Sequence, residues 1–115
     1  MSGKPRTMAM QIAFAICIAT SGAAAVEQGG SEVLIENFAF QPATLEAKVG
    51  ERIVFVNRDQ VPHSVVGFRN GEEAFRSAEY IDADDAYSVT LDRPGEIVIF
   101  CGLHGRMSAK IIVNQ

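Results

Sequence analysis

Near its C-terminus the chain reads Phe100-Cys101-Gly102-Leu103-His104-Gly105-Arg106-Met107. Cys101, His104 and Met107 stand at C-x₂-H-x₂-M spacing, where an apolar run ends and another begins. A tight loop between two strands can turn a thiolate, an imidazole and a thioether toward one point. Upstream, Asn57-Arg58-Asp59-Gln60-Val61-Pro62-His63 supplies the only other histidine of the 115 residues. A thiolate, two imidazoles and a weak thioether form the donor set of a mononuclear copper centre that passes single electrons. Sulfur suits Cu(I), and imidazole suits both oxidation states. Structural zinc sites use four Cys or His donors and leave no role for Met107.

Cysteine usage sharpens this reading. The chain has two cysteines, Cys17 and Cys101. Residues 1–25 have the order of a secretory signal peptide. Lys4 and Arg6 come first, then an apolar run from Met8 to Ala19, then Ala23 and Ala25 as the cleavage pair. The run is shorter than the roughly 20 apolar residues of a membrane span. Cleavage is therefore expected, with no stable membrane insertion, export to the periplasm and one domain over residues 26–115. Cys17 leaves with the leader, so Cys101 has no internal disulfide partner. A leftover thiol in an oxidising compartment is reactive, paired between chains, or bound to metal. Without Lys4 and Arg6, eight basic residues face fourteen acids, a balance of −6. Nucleic acid is excluded as a partner, because phosphate binding needs Lys and Arg.

The elements that must position these residues read as all-β. Short apolar runs alternate with turn signals, the pattern of a sandwich or barrel. Strands are expected at Ser31 to Glu36, around Phe38, Phe40 and Leu45, at Arg52 to Asn57, at His63 to Phe68, at Ala86 to Leu91, at Ile97 to Phe100 and at Lys110 to Val113. Asn70 to Asp85 breaks the rhythm with six acids and reads as a loop excursion with a short helix near Glu72 to Arg76.

Several segments together carry a family resemblance. Phe40-Gln41-Pro42 with Leu45 to Gly50, Ile53 to Arg58 leading to Pro62-His63-Ser64-Val65, and the C-x₂-H-x₂-M loop resemble the type 1 (blue copper) proteins, the cupredoxin family. The amicyanin group is most similar, ahead of the pseudoazurins and plastocyanins. The resemblance implies a single-domain Greek-key β-sandwich and one copper held by His63, Cys101, His104 and Met107. It implies a deep His63, and a His104 near the surface within an apolar patch of Pro62, Leu103 and Gly105. Asn57 is expected to support the ligands from behind. The resemblance also implies a monomeric electron carrier between redox proteins, with an amine dehydrogenase as donor and a c-type cytochrome as acceptor. One departure stands out: Leu103 occupies the place where related loops carry proline. Proline lacks a backbone donor, so Leu103 is expected to offer an N–H to the Cys101 sulfur.

Two other functions compete. A copper store or delivery module would bind the same metal without redox duty, but such sites are open and rich in Met or His. A hydrolase could pair Cys101 as nucleophile with His104 as base, yet no orienting acid or substrate cleft is evident.

Overall fold

The computed structural model describes residues 30–115. The expected leader lies outside the described residues. Among those described, no helix is long and apolar enough to cross a membrane.

Short runs rich in β-branched and aromatic residues form the strands, and successive side chains point to opposite faces. In β1 (Ser31–Glu36), Val33 and Ile35 point inward, and in β4 (Arg52–Asn57) Ile53 and Phe55 do the same. These two strands lie parallel at the centre of one sheet. β2 (Ala39–Gln41) flanks β1 and β7 (Ala86–Thr90) flanks β4, giving the order β2-β1-β4-β7. The second sheet runs β3-β9-β8-β5-β6. Its members are β3 (Thr44–Lys48), β5 (Val66–Arg69), β6 (Glu72–Arg76), β8 (Gly95–Phe100) and β9 (Ser108–Asn114). The chain crosses between the sheets five times, while β1–β2, β5–β6 and β8–β9 pair as neighbours within one sheet, and the architecture is the two-sheet Greek-key sandwich that the sequence leads one to expect.

The core fills the space between the sheets. Ile97, Ile99, Ile111 and Val113 face Val33, Ile35, Ile53 and Phe55, and all are at most 3% exposed. Phe55 is the aromatic hub, with ring centroids of Phe40, Tyr87 and Phe75 at 6.3, 6.2 and 6.4 Å. Phe75 reaches that hub over Gly67. A Cβ at Gly67 would fall 2.6 Å from the Phe75 ring, so the approach depends on a missing side chain.

One element departs from expectation. Glu72 to Arg76 is not a helix but the edge strand β6, paired antiparallel with β5. The cause is local. Asn70 and Gly71 both adopt positive φ, 52° and 81°, which a two-residue hairpin turn requires of both central residues. Arg76 pairs with Glu73 on its outer face. The remaining acidic residues up to Asp85 form the connection to β7.

Two strand ends define where chemistry can gather. β4 ends in Asn57, and β8 ends one residue before Cys101. His63 sits between them through a bridge to Ile81, with His63 N–H to Ile81 O at 3.1 Å and Ile81 N–H to His63 O at 2.7 Å.

Candidate metal centre

The loop from β8 to β9 is pinched by its own backbone. Cys101 N–H donates to Met107 O at 3.3 Å, and Met107 N–H donates to His104 O at 3.0 Å. This folds the C-x₂-H-x₂-M segment so that Cys101 and Met107 are buried and His104 is half-buried.

Three donor atoms converge. His63 Nδ1 lies 3.1 Å from His104 Nδ1. The Cys101 Sγ lies 3.7 Å from the first and 3.5 Å from the second. Metal–nitrogen bonds of roughly 2.0–2.1 Å and metal–sulfur bonds of roughly 2.3 Å place donors on one ion no more than about 4.4 Å apart. All three edges satisfy that limit, so the trio fits a single ion. The Met107 side chain lines a shallow groove of about 400 Å³ together with Phe38, His104, Gly105 and Arg106. All four sequence candidates therefore lie together at one end of the sandwich. His63 is wholly buried and His104 is the more accessible, as expected.

Backbone and side chains behind the trio hold it in place. Ser64 N–H donates to Cys101 Sγ at 3.3 Å. The Ser64 hydroxyl accepts from Gly102 N–H at 2.8 Å. Ser64 thus grips the cysteine segment twice. The expectation for Leu103 is not met: among the described residues, the backbone N–H that reaches the sulfur is that of Ser64, 37 positions upstream. Leu103, next to His104 in the chain, lies on the surface, 39% exposed.

Asn57 behaves as anticipated. It is fully buried and ties the loop that carries His63. Its Nδ2 donates to Val61 O at 2.9 Å and to Ile81 O at 2.8 Å, and its Oδ1 accepts from Asp59 N–H at 2.9 Å.

Asp59 and Phe38 were missed in the sequence. The Asp59 carboxylate lies 2.8 Å from His63 Nε2. Burial pushes this carboxyl toward the neutral form. Hydrogen bonds from Phe38 N–H, the His63 ring and Asn37 N–H outweigh that and hold it below the ordinary aspartate value. An acceptor at Nε2 places the ring proton there and leaves Nδ1 a bare lone pair, as metal ligation requires. Phe38 stands edge-on to both imidazoles, at 5.4 Å from His63 and 5.1 Å from His104. A carboxylate four residues ahead of a candidate histidine was the only available signal for Asp59.

Residues 7–113 match the Cupredoxin-like domain family. The chain belongs to that family. Amicyanin of Paracoccus versutus is 34% identical over 82 residues, spanning 70% of this cupredoxin-like chain but only 61% of that protein. Amicyanin-alpha of Methylorubrum extorquens is 28% identical over 119 residues, 95% of this chain and 99% of that one. The chloroplastic plastocyanin of Fritillaria agrestis is 33% identical over 84% of this chain and 64% of its own. Among solved structures, a reduced tryptophan-to-tyrosine mutant of amicyanin superposes with TM-score 0.68 at 30% identity, covering 80% of this chain and 89% of that one. A Cu-containing nitrite reductase of Thermus scotoductus shares the fold over 22% of its chain, with TM-score 0.67 at 27% identity. Copper is the metal this family binds, and the sulfur and imidazole donors of the cluster fit it.

Proposed function

We propose that this cupredoxin is a one-electron carrier whose copper is held by His63, Cys101, His104 and Met107. The observation that carries the reading is the triangle of His63 Nδ1, His104 Nδ1 and Cys101 Sγ, with edges of 3.1, 3.5 and 3.7 Å. When bound there, copper supplies a Cu(I)/Cu(II) couple.

The residues determine what that couple can do. Ser64, Asn57 and Asp59 fix the donors from behind, so the ligand positions need not change with oxidation state. Burial of Cys101 and Met107 keeps water from the sulfur side. His104, with Leu103 and Phe38 beside it, is the ligand nearest the surface and the point at which an electron leaves. Exposed Leu103 and Phe38 let a partner exclude water there without a large desolvation penalty.

Resemblance to amicyanin supports redox proteins as partners, an amine dehydrogenase and a c-type cytochrome among them. The composition of residues 1–25 supports export to the periplasm with cleavage after Ala25, leaving a monomeric domain of residues 26–115. Intact mass of the secreted protein reads that cleavage directly.

Spectroelectrochemistry on the copper-loaded chain tests the carrier role. The expected result is reversible transfer of one electron per chain over repeated cycles, with copper retained. A copper store or delivery module would release its metal to a chelator and would not cycle. That outcome would overturn the carrier reading.

A further inference from the structure

We propose that Asp59 is a positioning residue that locks the surface turn carrying Phe38 to the ligand histidine His63. The inference deepens the copper reading and rests on it.

The turn between β1 and β2 has two residues, Asn37 and Phe38, with φ of 57° and 58°. Neither is glycine. Asparagine tolerates the left-handed region; phenylalanine is uncommon there. Something outside the turn must hold it, and one carboxylate does. Asn37 N–H donates to Asp59 Oδ1 at 2.7 Å, and Phe38 N–H donates to Asp59 Oδ2 at 2.9 Å. The same Oδ2 lies 2.8 Å from His63 Nε2. Three donors from two distant segments therefore converge on one side chain.

This arrangement has two consequences. Asp59 sets the His63 tautomer, presenting Nδ1 to the metal. It also sets the place of Phe38, which meets both imidazoles at interplanar angles of 86° and 89°. At 52% exposure, Phe38 is both a wall of the site and part of the outer surface. The surface a partner meets and the ligand's readiness for metal thus depend on the same carboxylate.

Asp59→Asn separates this role from that of a simple turn cap. Asparagine offers one acceptor oxygen and an amino group, and three donors face it. Either His63 moves its ring proton to Nδ1, or the turn loses a bond.

The direct test is long-range ¹H–¹⁵N NMR of the histidine rings in the copper-free full chain. The wild type is expected to show His63 protonated at Nε2 and bare at Nδ1, with the Asn37 and Phe38 amides slow to exchange. In Asp59→Asn either the tautomer switches or those amides lose protection. Copper affinity then falls by about tenfold or more, the loss typical when a partner of a ligating histidine is removed, and the reduction potential moves. Phe38→Ala keeps the wild-type His63 tautomer.

A wild-type His63 that carries its proton on Nδ1 overturns the proposal, even if no variant folds. So does an Asp59→Asn protein that is merely less heat-stable, with copper affinity and potential unchanged. Failure of the wild type to take up copper would instead sink the copper reading and leave the ring measurement intact.

Discussion

Asn57 is the deepest polar side chain behind the site, and removing it has a calculable cost. Asn57→Ala deletes three hydrogen bonds, to Val61 O, to Ile81 O and from Asp59 N–H. Each bond contributes about 0.5–1.5 kcal/mol net, and a buried group left without a partner costs about 1–3 kcal/mol. That second penalty does not apply at Ile81: its carbonyl, the buried one of the three partners, still accepts His63 N–H at 3.1 Å. Three bonds therefore sum to about 1.5–4.5 kcal/mol, a large share of the about 5–15 kcal/mol that stabilises a domain. For a domain of this size each kcal/mol lowers Tm by about 4–8 °C, so a fall of about 12–24 °C corresponds to 3 kcal/mol. Thermal unfolding of the copper-free chain reads that fall. The copper-loaded chain adds a second reading, because bound metal stabilises in proportion to its affinity. A slack His63 loop binds more weakly, so the interval between loaded and copper-free Tm should narrow. Asn57→Asp should be no better than alanine, since its carboxylate would face two carbonyl oxygens. A loss below about 1 kcal/mol, with that interval unchanged, would refute Asn57 as the anchor of the loop.

Gly102→Ala should shift the visible spectrum of the copper form and cost about 1–3 kcal/mol in denaturation. Its Cβ would fall 2.9 Å from the Ser64 hydroxyl that steadies the cysteine segment. Gly67→Ala should cost a similar about 1–3 kcal/mol by overpacking, yet leave the spectrum alone, because its clash is with the Phe75 ring in the core. Asp59 makes stability depend on pH in one direction. Its folded value is depressed below the ordinary 3.8, so its contribution is complete above that pH and is lost as pH falls through the lower folded value. Urea midpoints of wild type and Asp59→Asn should therefore converge in acid. A constant difference down to the acid limit would contradict the assignment.

Much of this architecture was legible because its signals are local. Ser31 to Glu36 and Arg52 to Asn57 are short runs rich in Val, Leu, Ile and Phe, and they form β1 and β4 with those bounds. The three candidates of the C-x₂-H-x₂-M loop share one turn of chain, so spacing alone grouped them. His63 was found through scarcity, as one of only two histidines. The run from His63 to Phe68 was read as one strand, but β5 begins at Val66 because His63 is committed to its bridge with Ile81. The Asn70-Gly71 hairpin was misread because the acids around it suggested a solvated excursion. Asp59 was hidden for another reason. It is one of fourteen acids, and its amide partners lie 22 and 21 residues away across a sheet. The Ser64 grip on Cys101 spans 37 positions and uses a backbone donor, which no side-chain pattern can signal.

The most direct measurement is the visible absorption spectrum of the chain loaded with one equivalent of Cu(II), beside that of Cys101→Ser. Convergence of the Cys101 sulfur with two imidazoles on one ion predicts an intense thiolate-to-copper charge-transfer band that disappears in the variant. A pale wild type that binds copper, or a serine variant that keeps the strong colour, would contradict it.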